Sequence, residues 1–194
     1  MRHLVYYVAV SIDGIIAGPG GEFDFYPVAE DMAAWVNVHY PETVPTLLRE
    51  QIGMAVHEPN RQFDTVLMGR GTYEPGLAAG TASPYAHMKQ YVFSSSLAQA
   101  DYPAVEIVNT DAVELVRQLK KEEGKDIWLC GGAKLAGQLL DEIDRLIIKS
   151  YPVIAGAGVP LFGGDFSPAR FDVAERREFS NGTQISWFDR AAAR

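Results

Sequence analysis

Apolar residues along the chain fall into two kinds of run. Leu4–Val10 is apolar, β-branched or aromatic throughout, with no polar alternation. That is the pattern of a strand buried on both faces, as in a sheet covered by helices. Residues 64–68, 89–93, 105–108 and 127–130 read as further strands, and 144–153 as a longer one. Helical spacing recurs between them. Residues 29–38 follow Pro27 and set Met32, Trp35 and Val36 at helical intervals. Residues 46–56 predict a second helix, with Leu47, Leu48, Ile52 and Val56 as its apolar stripe. In 110–123, Ala112, Val116 and Leu119 face a core, Asp111 and Glu114 occupy the favourable first turn, and Gly124 terminates the helix. Residues 134–141 predict another helix, with Leu135 and Leu139 inward. The stretches 171–179 and 183–188 alternate and are joined through Asn181-Gly182, a hairpin signal. The connecting stretches 11–21, 78–84 and 154–160 read as loops. The order predicts an α/β fold of three layers, α/β/α, with a mainly parallel central sheet and a C-terminal antiparallel hairpin. No internal boundary is visible, so 1–194 is expected to be one domain.

Three of the strands end in similar chemistry. One runs into Gly69-Arg70-Gly71-Thr72, one into Ser94-Ser95-Ser96, and one into Gly131-Gly132. A glycine pair at a strand-to-helix turn lets a ligand approach the backbone and aims unpaired N–H groups at it, which favours an anion. Arg70 supplies a planar fork for a phosphate. In an open α/β sheet, ligands lie outside the carboxyl ends of the strands. Each segment alone is compatible with an ordinary turn. Together they predict one polyanion-binding edge, long enough for a dinucleotide. The loop after the first strand, with Gly14, Gly18, Gly20 and Gly21, reads either as a mobile gate or as a loose connector.

Composition narrows the partners. With 194 residues, 47% hydrophobic and 22% charged, the chain is ordinary globular material. A formal charge of −8 argues against a nucleic-acid or anionic-membrane partner. No apolar run approaches the ~20 residues of a membrane span. The N-terminus lacks signal-peptide anatomy, and the single cysteine, Cys130, suits a reducing compartment, so a cytoplasmic location is expected. Cys130 ends an apolar strand and reads as a small buried hydrophobe. His3, His39, His57 and His87 lack metal-ligand spacing, and no metal is expected. Gly156-Ala157-Gly158 begins like a dinucleotide fingerprint, but Pro160 follows and no helix does.

The segments 8–17 (Val-Ala-Val-Ser-Ile-Asp-Gly-Ile-Ile-Ala), 68–73 (Met-Gly-Arg-Gly-Thr-Tyr), 93–95 (Phe-Ser-Ser) and 130–135 (Cys-Gly-Gly-Ala-Lys-Leu) resemble, in order, the dihydrofolate-reductase-like superfamily. Asp144-Arg-Leu and residues 152–162 are similar to the branch holding the reductase domain of the riboflavin-biosynthesis deaminase–reductases. The resemblance implies that fold and an NADPH cofactor. It implies that Gly69, Arg70, Gly71 and Thr72 bind the pyrophosphate and 2′-phosphate side, and that Ser94 and Ser95 border the adenosine phosphate. Gly131 and Gly132 would cover the pyrophosphate, with Ala133, Lys134 and Leu135 beside them. Ala9 and Ile16 would line the nicotinamide pocket, and the glycine-rich loop would be its lid. A homodimer is implied by the same branch.

The chain also departs from the family. Dihydrofolate reductases carry Gly-Arg-Lys before the third strand, and here the run is His87-Met88-Lys89, without the arginine that holds the folate tail. Residues 36–61 form a longer connection than usual. The family's acid lies early in the first helix, in Pro-x-Asp-x-x-Trp. Asp31 is the nearest match, able to protonate a ring nitrogen if burial raises its pKa, or else simply an acid favoured by the helix dipole. Asp13 belongs to the start motif and reads as a turn-shaping residue. The resulting expectation is a reductase transferring hydride from NADPH to a pteridine- or pyrimidine-like heterocycle held among Phe23, Phe25, Tyr26 and Trp35. The alternatives are a nucleotide-binding module without turnover and a plain scaffold.

Overall fold

The computed structural model describes residues 1–192; residues 193 and 194, included in the expected 1–194 unit, lie outside the described residues. The chain order is β1 (Leu4–Val10), β2 (Ile15–Ala17), α1 (Glu30–His39), α2 (Thr46–Arg49), β3 (Phe63–Gly69), α3 (Arg70–Ala78), β4 (Lys89–Phe93), β5 (Glu106–Val108), α4 (Ala112–Leu119), β6 (Asp126–Gly131), α5 (Ala133–Gln138), β7 (Arg145–Ser150), β8 (Val159–Pro160), β9 (Phe171–Glu178) and β10 (Gln184–Arg190). Eight strands form one sheet in the order β5-β4-β3-β6-β1-β7-β10-β9, and β2 pairs with β8 apart from it. β5 through β7 pair in parallel, and β10 and β9 close the sheet as an antiparallel hairpin. The α/β fold with a mainly parallel sheet is as the hydrophobic pattern predicts.

Alternate residues of the buried strands feed two cores. On one face Val5, Tyr7, Phe63, Val66, Met68, Trp128 and Ile147 pack with Met32 of α1 and Tyr73 of α3. On the other, Leu4, Tyr6, Leu67, Ile127 and Leu129 meet Val116 and Leu119 of α4 and Leu135 and Ala136 of α5. Continuous apolar strands are the consequence of having both faces covered.

Several expectations need correction. The helix predicted over 46–56 is a single turn, Thr46–Arg49, followed by a 3₁₀ turn, Glu50–Ile52, and stopped by Gly53 at φ +74°. Its supposed apolar stripe faces water: Leu47, Leu48 and Ile52 are 54%, 45% and 48% exposed, whereas Arg49 is 0% exposed. The reason is backbone satisfaction. The surrounding loop has few secondary-structure partners, and the Arg49 guanidinium donates to the carbonyls of Val56 (2.8 Å), Pro41 (3.1 Å), Glu58 (3.3 Å) and Val44 (3.4 Å). Glu42, also fully buried, accepts from the amides of Gln62 (2.6 Å), Phe63 (2.8 Å) and Arg61 (3.1 Å).

α3 is absent from the hydrophobic pattern because Gly71, Pro75 and Gly76 are poor helix formers. It is held by Tyr73, whose buried ring sits on the sheet and whose hydroxyl donates to the Ala82 carbonyl at 2.8 Å. α4 is shorter than expected. Asp111 caps it from outside, accepting from Val113 N at 2.8 Å and Glu114 N at 3.4 Å. Gly124 does not end it, since the helix stops at Leu119; Gly124 sits where a β-carbon would lie 2.6 Å from Asp64 Oδ2. β9 is exposed on both faces instead of alternating, because it is the outermost strand.

Replacing Arg49 by Met keeps volume but strands the four carbonyls and removes the positive charge that couples to buried Glu42. Denaturant unfolding should show a loss of about 3 kcal/mol, the scale of a broken buried ionic group. A loss below about 1 kcal/mol, the scale of an ordinary exposed pair, would show that these bonds are not needed.

Candidate active site

The carboxyl ends of β3, β4 and β6 lie side by side because these strands are parallel neighbours: Gly69 pairs with Phe93, and Met68 with Gly131. β3 passes straight into α3 with Gly69 as its cap residue. The amides of Arg70, Gly71 and Thr72 therefore start the helix without intrahelical partners, at its positive end. Gly131 has φ +141°, which disfavours any side chain, and the Gly131–Gly132 peptide is cis. A β-carbon on Gly131 would lie 3.3 Å from Thr72 Oγ1, and one on Gly69 would lie 3.3 Å from the Gly132 nitrogen. Two strand ends and a helix start thus close on one another through bare backbone.

Arg70 is exposed and extends from this cradle toward β4. Its Nε donates to Glu74 Oε1 and its Nη1 to Ser96 Oγ, both at 2.7 Å. Ser94 Oγ accepts from the amides of Leu97 (3.1 Å) and Ser96 (3.2 Å), so it shapes the turn. Ser95 is exposed. The hydroxyl that meets Arg70 is therefore Ser96, one residue beyond the Ser94–Ser95 pair, and only the serine run itself signals it. Ala133 and Leu135 are buried in the core, which leaves their backbone and the exposed side chain of Lys134 to face a ligand.

The loop after β1 is tied at its base. Ser11 Oγ donates to Asp13 Oδ1 at 2.6 Å, and Asp13 accepts from the amides of Gly156 (2.7 Å) and Ala155 (3.1 Å). β2 pairs with β8, and a β-carbon on Gly158 would lie 2.1 Å from the Ala17 carbonyl oxygen. The stretch expected to be a gate or a loose connector is thus stitched to the 154–160 loop. The bonds from Ser11, Ala155 and Gly156 hold the Asp13 carboxyl down at about 2, from an ordinary 3.8.

Ala9 and Ile16 are half-buried on either side of this loop. The aromatic quartet expected around a substrate is divided. The Phe25 and Tyr26 rings lie 4.4 Å apart and tilted by 37°, and Tyr26 meets Tyr151 at 4.7 Å. Tyr26 also donates to the Ile15 carbonyl at 2.8 Å. Phe23 is largely exposed, and Trp35 packs instead among Tyr40, Phe179 and Trp187.

The condition attached to Asp31, burial that raises its pKa, is not met. Asp31 is exposed and accepts from Ser180 Oγ (2.9 Å) and Ser180 N (3.0 Å), which lowers its pKa. It fastens α1 to the β9–β10 hairpin. The spacing explains why. In Pro-x-Asp-x-x-Trp the acid stands three residues before Trp, and three before Trp35 is Met32, which is 2% exposed. Asp31 stands four before, and one residue on a helix is about 100° of rotation.

Opposite Ala9, across the β1–β7 register, stands Lys149. Its ammonium lies 4.3 Å from the centre of the Tyr7 ring, and burial pushes its pKa down to about 8. Cys130, which precedes the glycine pair, is pushed up by burial to about 12. Sequence reasoning passed over Lys149; the available signal is a lysine directly after the apolar run Leu146–Ile148.

Two open clefts lie away from these strand ends, one by Met88–Gln90 and Gln99, the other by Arg2 and Lys120–Gly124. Neither touches the glycine cradle, and their walls carry no convergent reactive groups. Among the described residues no cluster of three His, Cys, Asp or Glu side chains is placed to hold a metal. Among the described residues no helix is long and apolar enough to cross a membrane.

A parallel sheet with a glycine-lined cradle at its carboxyl edge and a closing antiparallel hairpin defines the dihydrofolate-reductase-like class. Within it the chain belongs to the RibD C-terminal domain family, whose model matches residues 2–185. It is 30% identical over 188 residues to the uncharacterized protein YwjB of Bacillus subtilis (strain 168), spanning 96% of this chain and 97% of that one. A crystal structure of a putative riboflavin biosynthesis protein from Shewanella sp. PV-4 is similar at 24% identity and TM-score 0.69, covering 99% of this chain and 100% of that one. Dihydrofolate reductase from Enterococcus faecalis, complexed with NADP(H) and RAB-propyl, superposes with TM-score 0.65 at 13% identity, covering 98% of this chain and 97% of that one.

Asp13 links pH to stability. Its folded pKa lies below the unfolded one, so its contribution is complete above the ordinary 3.8 and is lost as pH falls through about 2. Asp13→Asn should lower the melting temperature at pH 7, and the gap to the native chain should shrink steadily between pH 4 and pH 2. A gap as large at pH 2 as at pH 7 would show that the carboxylate charge is not what ties the loops.

Proposed function

We propose that the protein is an NADPH-dependent reductase of a pteridine- or pyrimidine-like heterocycle. The observation that carries this reading is the close approach of Gly69, Thr72 and Gly131–Gly132 at the start of α3, a cradle that any β-carbon would begin to fill. Bare backbone, unpaired amides and a neighbouring guanidinium fit a pyrophosphate flanked by a further phosphate. Gly69, Gly71, Thr72, Gly131 and Gly132 would hold the pyrophosphate, with the backbone of Ala133 to Leu135 alongside. Arg70, with Ser94, Ser95 and Ser96 at the neighbouring strand end, would hold the 2′-phosphate and so select NADPH over NADH. When bound, the reduced nicotinamide supplies a hydride. The chain's own part is to orient the partners and exclude water. Ala9 and Ile16 would flank the nicotinamide, and the β2–β8 pair, fixed by Asp13, would position the loop above it. Tyr26, Phe25 and Tyr151, their rings tilted against one another, would supply an aromatic wall for the second ring.

A second reading, a nucleotide-binding module without turnover, is favoured by one observation. The acid place of the first helix is taken by Met32, and Asp31 serves as a clamp.

Two measurements decide. NADPH at a hundredfold excess over its dissociation constant should stabilise the protein by about 2.7 kcal/mol, a melting shift of roughly 5–11 °C for this size. NADH should shift it less, and Arg70→Met should weaken NADPH about tenfold. No shift with either cofactor would sink the cofactor reading. Oxidation of NADPH against dihydrofolate, dihydropterins and aminopyrimidines then separates reductase from module.

A further inference from the structure

Lys149 stands near the carboxyl end of β7, between β1 and β10, with Ala9 and Ile185 opposite it. An ammonium at an interior strand position is costly unless something compensates for lost water. Lys149 has no carboxylate partner among the described residues. Its Nζ sits over the Tyr7 ring at 4.3 Å, a contact worth about 0.5–2 kcal/mol. The other titratable groups nearby are the Cys130 thiol of β6, Tyr85 beside that thiol, Tyr151 two residues along β7, and Tyr26, which packs on Tyr151. All of these are neutral at pH 7, and burial raises their pKa values further above it. Arg177 shares the face beyond Ile185, with its guanidinium over Trp35. A cation left unpaired on this face, opposite Ala9 and near Cys130, the residue that precedes the glycine pair, is placed for a ligand.

We propose that Lys149 is the proton donor of the reduction, set on the sheet where the first helix supplies no acid. The proposal rests on the reductase reading above. Reduction of a C=N bond adds a hydride to carbon and a proton to nitrogen. The hydride arrives with its electron pair from the reduced nicotinamide, and the π pair of C=N passes to nitrogen. Nitrogen takes the proton from Lys149 Nζ, forming N–H as the Nζ–H bond breaks. Lys149 is left a neutral amine and regains its proton from water after product leaves. A pKa of about 8 keeps most of Lys149 charged at neutral pH while making it a far stronger acid than an ordinary lysine.

The first test needs no turnover. Trinitrobenzenesulfonate labelling of the whole protein, mapped lysine by lysine, should give Lys149 a half-maximal rate near pH 8, against 10.5 for an ordinary lysine. No labelling of Lys149, or a half-point near 10.5, overturns the proposal. The second test uses NADPH oxidation with the same heterocycle panel. Lys149→Met should lower kcat about a hundredfold and leave the NADPH melting shift intact. Lys149→Arg keeps the charge but cannot release the proton, so its kcat should stay low and lose the fall that the native protein shows above pH 8. Lys149→Met at the native rate, with the melting shift intact, overturns the proposal and spares the reductase reading. Absence of a melting shift in the native protein sinks that reading and the proposal with it. If no panel compound is turned over, fivefold protection of Lys149 from labelling by dihydrofolate supports the site, and no protection by any of the panel overturns it.

Discussion

The site depends on the insertion of β6 between β1 and β3. Without β6, the β3-β4-β5 sheet and β1 share no edge. β6 reaches that place more than a hundred residues after β1, and its parallel register with Leu4–Tyr6 on one side and Phe63–Met68 on the other sets where every strand ends. Trp128 locks the register from within, its Nε1 donating to the Tyr7 carbonyl at 3.0 Å. The glycine pair then emerges beside Gly69 and Thr72, and Cys130 beside Tyr7. A one-residue slip would turn Trp128 toward the opposite core and move the pair away from α3. Non-local parallel pairing of this kind is slow to form because loop closure precedes its reward.

How far the sequence exposes such a structure depends on which forces are local. Strands buried on both faces announce themselves as unbroken apolar runs, so the sheet and its end motifs were legible. The Asn181-Gly182 hairpin was legible because its turn chemistry is local. α3 was not, because what makes it helical is Tyr73 seated on the sheet, a tertiary contact that overrides Gly71, Pro75 and Gly76. The segment 41–61 was misread for a related reason. Hydrophobic spacing assumes that apolar side chains go inward, whereas an irregular segment must first satisfy its backbone, and Arg49 and Glu42 do this from within. Polar residues that go inside to serve backbone groups carry no periodic signature.

The cofactor half and the substrate half of the site differ in the same way. The edge proposed for the cofactor is built from backbone, and backbone approach demands glycine, which stands out in a sequence. The substrate half is built from side chains on distant elements, and its meaning lies in their juxtaposition. Asp31 looked right by proximity to Pro27 and Trp35, yet one residue of helical phase turns it to the surface. Lys149 carried no motif, and it gains significance only from the register that sets it against Ala9.

In the proposed reaction a sheet-borne cation takes the role of a helix-borne carboxyl. Met32 of α1 shares a core with Tyr7, the ring over which the Lys149 ammonium lies. A carboxyl there must be raised to hold a proton at neutral pH, which needs burial without hydrogen-bond donors. Asp31, with two bonds from Ser180, has the opposite surroundings. A lysine needs the reverse shift, downward, and burial alone provides it. Lys149 is half-buried, and the neutral groups around it (Tyr7, Tyr85, Cys130 and Tyr151) take the place of part of its water without supplying a counter-charge that would restore the ordinary value. Surroundings of this kind tune an ammonium toward proton release, and in the proposed reaction the same aromatic surfaces would receive the ring.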